Sequence, residues 1–85
     1  MIRPKGGLIM IDTICEYIIS TVIEYSSDCQ YCVDFDLIES KFNIVLDENN
    51  LNSIFNALLS REEIADVTTE SDCFDVVVYT KFTKG

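Results

Sequence analysis

Four cysteines carry the most reactive side chains of this chain, and two of them have the spacing of zinc ligands. Two residues separate Cys29 from Cys32, and Cys73 follows in the C-terminal third. A structural zinc site needs four ligands, and the sequence has no histidine to complete the set. We therefore expect no metal, with Cys15 in the core and the other three as reduced thiols. A zinc site that uses Cys29, Cys32 and Cys73 is the alternative.

The usual arrangements of residues for acid–base and nucleophilic catalysis are missing. Without histidine, no serine or cysteine has an imidazole base, and glycine occurs only at positions 6, 7 and 85, so no glycine-rich loop can hold a phosphate. Asp34, Asp36 and Glu39 could approach one cation, but a calcium loop also needs a glycine for its turn. A helix cap and a solvated helix face explain these acids. The sequence predicts a protein that is not an enzyme and has no cofactor.

Acidic residues dominate the charge, since fifteen Asp and Glu stand against six Lys and Arg, for a net charge of −9. A surface of this sign repels phosphate, so we expect no direct nucleic-acid binding and no binding to anionic membranes. A basic protein surface is its natural partner. The predicted partner-binding residues are the acids of the first two predicted helices: Asp12, Glu16, Glu24, Asp34, Asp36 and Glu39.

Apolar periodicity predicts three helices that position these acids. Residues 11–25 repeat apolar side chains at three- and four-residue steps, and the period stops at Ser26. Asp34 is expected to cap a second helix that ends near Asn43, and Asp47 a third that reaches Leu59. Asp12, Glu16 and Glu24 then lie together on the solvated face of the first helix.

The C-terminal third changes to the two-residue period of strands. Residues 64–69 and 73–82 are predicted to form a β-hairpin whose inner face carries Phe74, Val76 and Val78. The pattern of Ser60 and Glu63 also matches a capping box, so a short fourth helix is the alternative there. The predicted fold class is α+β, with three helices followed by a C-terminal β-hairpin, in the order of a winged helix.

The chain is long enough for one domain, which we assign to residues 10–85. Residues 1–9 are expected to be a leader or a disordered segment. The codons permitted for Lys5, Gly6 and Gly7 include a bacterial ribosome-binding sequence shortly before Met10, which favours Met10 as the natural start.

Residues 35–59 resemble a helix-turn-helix, with the third predicted helix in the place of the recognition helix. The resemblance implies that its exposed face would read DNA bases, but Lys and Arg for phosphate contacts are absent from that face. The asparagines of this face and an aromatic residue after the hairpin form an alternative partner-binding set: Asn49, Asn52, Asn56 and Tyr79.

Small size, strong acidity, an isoleucine-rich composition and the lack of catalytic residues resemble phage-encoded inhibitors of host defence, such as anti-CRISPR and DNA-mimic proteins. The resemblance implies an inhibitor that occupies the basic nucleic-acid-binding surface of a partner such as a CRISPR effector. The isoleucine-rich composition favours a phage or a low-GC bacterium as the source, and the lack of a targeting signal favours the cytoplasm. The runner-up is a winged-helix transcription regulator that acts as a homodimer or through protein contacts. The apolar runs are too short to span a membrane.

Overall fold

The longest element is the helix α1 (Gly6–Tyr25) in the computed structural model, which describes residues 6–26 and 28–82. The apolar period predicted this helix, and its inward side chains Ile14, Ile18 and Val22 are fully buried. α1 begins four residues before Met10, so the domain boundary expected at Met10 falls within a helix. Residues 1–5 of the expected leader lie outside the described residues.

Two shorter helices follow at the predicted places, α2 (Phe35–Phe42) and α3 (Glu48–Leu59). Asp47 caps α3, because its Oδ1 atom accepts a hydrogen bond of 2.9 Å from the backbone N–H of Asn50. Asp34 occupies the cap position of α2 without a side-chain cap hydrogen bond. α2 ends at Asn43, whose left-handed backbone (φ 56°) turns the chain towards α3.

The expected order of three helices followed by a hairpin is wrong in one respect, because the strand β1 (Gln30–Asp34) lies between α1 and α2. The predicted hairpin is confirmed as β2 (Ile64–Thr69) and β3 (Cys73–Val78). β3 lies in the middle of the three-stranded antiparallel sheet and pairs with both β1 and β2. The fold is therefore α+β, with the element order helix, strand, helix, helix, strand, strand.

The hairpin is shorter than its alternating sequence predicted, since β3 ends at Val78 rather than at Phe82. β2 begins opposite Val78, so β3 has no partner strand beyond that point. The next residues instead form a 3₁₀ turn, Thr80–Phe82. The alternative fourth helix is also wrong, because residues 60–63 form turns and the hydroxyl of Ser60 donates back to the carbonyl of Ala57.

The hydrophobic core lies between α1, the other two helices and one face of the sheet. Every second residue of β3 contributes to it, and Phe74 and Val76 are completely buried. Burial of such side chains stabilises the fold by about 1.5 to 3 kcal/mol each. The described residues include no buried polar or charged residue, so every described charge remains at the surface.

No helix within the described ranges is both long and apolar enough to cross a lipid bilayer.

Candidate functional site

All fifteen acidic side chains fall in the described part of the chain, and every one of them is exposed or half-buried. Only three Lys and Arg residues are described: Lys41, Arg61 and Lys81. Within the described residues a single ion pair is formed, between Arg61 and Asp12. In the described part of the chain, fourteen of the fifteen carboxylates therefore have no ion-pair partner.

The acids predicted on α1 differ in what they contact. Arg61 Nη2 donates to the backbone carbonyl of Asp12 at 3.3 Å and lies 3.6 Å from its Oδ1 atom, so this carboxylate has a cationic partner. Glu16 is exposed one turn further along α1. Glu24 is exposed about 12 Å beyond Glu16 along the helix axis. Glu16 and Glu24 therefore remain available to a partner.

A groove of about 290 Å³ runs between α1 and the segment that leads into β2. We call it the α1 groove, and six residues line it: Glu16, Ile19, Ser20, Ile23, Arg61 and Glu63. Its α1 wall follows from helical spacing, which places residues three and four apart on the same face. The backbone carbonyl of Glu63 accepts a hydrogen bond of 3.0 Å from the N–H of Tyr79, which fixes the opposite wall to the sheet.

The acids predicted around α2 lie at the other end of the sheet. Asp34 pairs with Cys73 at the hairpin end of β3, and the carbonyl of Asp72 accepts a hydrogen bond from the N–H of Phe35. β2 separates this end from the Arg61 end by about 17 Å. The six predicted acids thus form two groups rather than one patch.

One of the predicted acids has a structural role. Glu39 is half-buried, and its Oε2 atom accepts a hydrogen bond of 2.8 Å from the backbone N–H of Leu46. This contact ties α2 to the loop before α3. Asp34 and Asp36 are exposed, so of the α2 acids these two are the ones open to a partner.

The alternative set of residues is also at the surface. Asn49, Asn52 and Asn56 are exposed along α3, with no Lys or Arg between them. The neighbouring Asn50 has a structural role, since its Nδ2 atom donates to the carbonyl of Val45 at 2.6 Å. Tyr79 is half exposed, but it follows β3 and does not belong to the α3 face.

The four cysteines form no disulfide bond, and Cys32 and Cys73 are diagonal neighbours on the adjacent strands β1 and β3. Both lie on the outer face of β1 and β3, and their side chains are hydrogen-bonded. Burial, this hydrogen bond and the charges of Cys32, Asp72 and Asp34 raise the pKa of the Cys73 thiol to about 12. Burial likewise raises the pKa of Cys15 to about 11. In the described ranges, no three His, Cys, Asp or Glu side chains converge so as to hold a metal ion.

Sequence reasoning missed the α1 groove. Arg61 is the only cation between Lys41 and Lys81, and such a lone cation in an acidic segment signals an ion-pair partner. The sequence does not say which acid the partner is, because Asp12, the acid that pairs with Arg61, approaches it only through the tertiary fold.

Comparison of the chain with protein-family models, with curated proteins and with solved structures gave no match in any of the three.

Proposed function

We propose that this protein is a non-enzymatic inhibitor that occupies the basic, nucleic-acid-binding surface of a partner protein such as a CRISPR effector. One observation carries the proposal: fifteen exposed or half-buried carboxylates are matched, among the described residues, by a single ion pair. Folding has left these charges in water rather than using them in the core. A surface of this kind is complementary to the phosphate-binding surface of another protein.

The expected gain from this charge lies mainly in association rate and specificity. Opposite potentials steer two proteins together, and like charges reject wrong partners. The effect is screened over about 8 Å at physiological salt, so it depends strongly on ionic strength. Nucleic acid itself relies on the same phosphate contacts, so an acidic protein that covers them competes directly with it.

The scaffold that we propose is winged-helix-like. The order of helices and strands, with β3 between β1 and β2, supports this assignment, as does the tight connection from α2 through Asn43 to α3. In a DNA-binding helix-turn-helix, the second helix lies in the major groove, where it reads base edges and is flanked by Lys and Arg that contact phosphates. Here α3 presents Glu48 and asparagines without a cation, which favours a protein partner over DNA.

A competition experiment tests the proposal. A Cas9-type effector with bound guide RNA is mixed with a fluorescent target duplex, and anisotropy reports duplex binding while the acidic chain is added. We expect the chain to reduce duplex binding in a dose-dependent manner, and less effectively at high salt. Undiminished duplex binding at saturating chain would contradict the effector as partner.

The runner-up function is a winged-helix transcription regulator, and the exposed Asn49, Asn52 and Asn56 on α3 favour it, because asparagine can form paired hydrogen bonds with adenine. An electrophoretic mobility shift with random duplex at low salt separates the two functions. An acidic inhibitor gives no retarded band, whereas even a weak DNA-binding protein retards some duplex.

A further inference from the structure

The α1 groove has the size of a site for one side chain. Its volume of about 290 Å³ lies at the lower limit of pockets that hold small-molecule ligands, which range from roughly 300 to 1,000 Å³. It is also open along its length, between α1 and the segment before β2. A long side chain from a partner protein fits these dimensions better than a cofactor does.

The groove combines an apolar floor with acidic walls. Ile19 is 5% exposed and Ile23 is half-buried, so their side chains form a surface for methylene groups. Glu16 on α1 and Glu63 before β2 place one carboxylate on each wall. Among the described residues, neither carboxylate has a cationic partner.

Arg61 shows that this groove accommodates a cation. Its side chain lines the same groove and is only 24% exposed, and its Nη2 atom lies 3.6 Å from the carboxylate of Asp12 beside the groove. One positive charge is thereby set against the carboxylates of Asp12, Glu16 and Glu63. The groove keeps a net negative charge after its own arginine is counted.

We propose that the α1 groove binds a lysine or arginine side chain of a basic partner protein. The methylene stem lies on Ile19 and Ile23, and the cationic end lies between Glu16 and Glu63. Lysine and arginine have this combination of an apolar stem and a charged end. An apolar side chain would remove water from two carboxylates without pairing them, which is costly, and an anion would be repelled. This inference rests on the proposed function, since it names the contact through which a basic partner is held.

The direct test is a titration followed by two-dimensional NMR of the labelled chain. The probe is the peptide acetyl-Gly-Ser-Lys-Ser-Gly-amide, which carries a single lysine because a polycation would bind any acidic surface. The control peptide has norleucine, which keeps the apolar stem without the charge. We expect saturable amide shifts at Glu16, Ser20 and Glu63 with the lysine peptide only. Equal shifts with norleucine, or shifts spread over all acids, would overturn the inference.

Two double variants with the same change in net charge sharpen the test. Glu16→Gln with Glu63→Gln removes the carboxylate from each wall of the groove, and Glu48→Gln with Glu70→Gln removes two exposed acids outside it. We expect the groove variant to bind the lysine peptide about fivefold more weakly, and the control variant less than about twofold more weakly. An equal loss in both variants would mean that overall charge, not the groove, holds the peptide.

The effector competition separates this inference from the proposed function. If the lysine peptide binds in the groove but the chain does not displace duplex from the effector, the groove inference stands and the effector proposal fails. If the Glu16→Gln, Glu63→Gln variant still displaces duplex as well as the wild-type chain, the groove inference fails and the effector proposal stands.

Discussion

The two faces of β3 differ as strongly as any two regions of this molecule. On the inner face, the side chains of Phe74, Val76 and Val78 are at most 1% exposed to solvent. On the outer face, Asp75 and Val77 are half-buried, and their partners on the neighbouring strands include Asp66 and Thr68. One strand of six residues therefore separates a uniformly apolar core from an acidic surface. The residues that stabilise the fold therefore differ from the surface residues that we propose for partner binding, so we expect that either set can be changed without the other.

The largest expected effect comes from placing a charge on the inner face. Val76→Asp buries a carboxylate without a partner and removes apolar contacts, at a cost above about 3 kcal/mol, so we expect the domain to unfold. Val77→Asp puts the same charge on the outer face, beside Asp66, and should cost only about 1 kcal/mol. Urea titration followed by circular dichroism measures both. A cooperative Val76→Asp transition near that of the wild type would show that the inner face does not control stability.

Reversal of the α1 charges should abolish binding and leave the fold intact. Asp12→Lys, Glu16→Lys and Glu24→Lys change exposed side chains only. The triple variant breaks the exposed Arg61–Asp12 ion pair, and such pairs contribute at most about 1 kcal/mol to stability. We expect a native far-ultraviolet spectrum and no competition with duplex at the Cas9-type effector. A folded triple variant that still competes, or wild-type competition that is indifferent to salt, would move the interface to Asn52, Asn56 and Tyr79.

Alkaline pH should lower the free energy of unfolding, because the buried thiols lose their protons less readily in the folded state than in the unfolded chain. The folded pKa of Cys15 is about 11, above the reference value of 9.0, so the folded state keeps this proton more tightly than the unfolded chain does. The stabilisation is complete below pH 9 and is lost as pH rises towards 11, by about 1.4 kcal/mol per pH unit for each such thiol.

Cys15→Ala isolates this contribution, because the tyrosines that titrate in the same range stay in place. We expect the free energy of unfolding of the variant to fall less steeply between pH 9 and pH 11 than that of the wild type. Equal slopes of unfolding free energy against pH in the two proteins would show that ionisation of the Cys15 thiol does not affect stability.

The exposed Cys32 should react with iodoacetamide in the native protein well before Cys15.

The smallest effects concern surface acids that contact the backbone. Asp47→Ala removes the hydrogen bond to the N–H of Asn50 and should cost about 1 kcal/mol. Asp34→Ala changes the same residue type at the same helical position, but it removes no side-chain cap hydrogen bond, so the cost should be nearer to zero. Equal losses in thermal unfolding experiments would mean that charge near the helix dipole, rather than the cap bond, determines both values.

The helices were predictable because their signals are local. The apolar period of α1, the cap at Asp47 and the turn residue Asn43 each act within a few positions of the chain. β1 was not predictable, because only Val33 of its five residues is fully buried and the rest reads as loop. β1 is a strand because β3, some forty positions later, pairs with it.

The difference between local signals and contacts of distant residues also explains which surface features the sequence did not predict. The exposure of Glu16 and Glu24 follows from the helical period alone. The α1 groove depends on Glu63 lying across from Glu16, and only the tertiary fold brings the segment before β2 close to α1. The alternating pattern up to Phe82 predicted a strand that is too long. A strand continues only as far as its partner strands do, and β2 begins opposite Val78.

The central position of β3 determines the order in which the sheet can assemble. Three residues separate β2 from β3, whereas thirty-eight separate β1 from β3, so closing the second loop costs about 2 kcal/mol more in chain entropy. We therefore expect the β2–β3 hairpin to form first and β1 to pair with β3 last. The pairing of β1 adds contacts between residues far apart in the sequence, and such contacts slow folding. During synthesis, β1 and β2 both leave the ribosome before the strand that joins them. A nascent chain that ends before Cys73 contains the segments of the three helices, β1 and β2, but it lacks the strand with which both β1 and β2 pair.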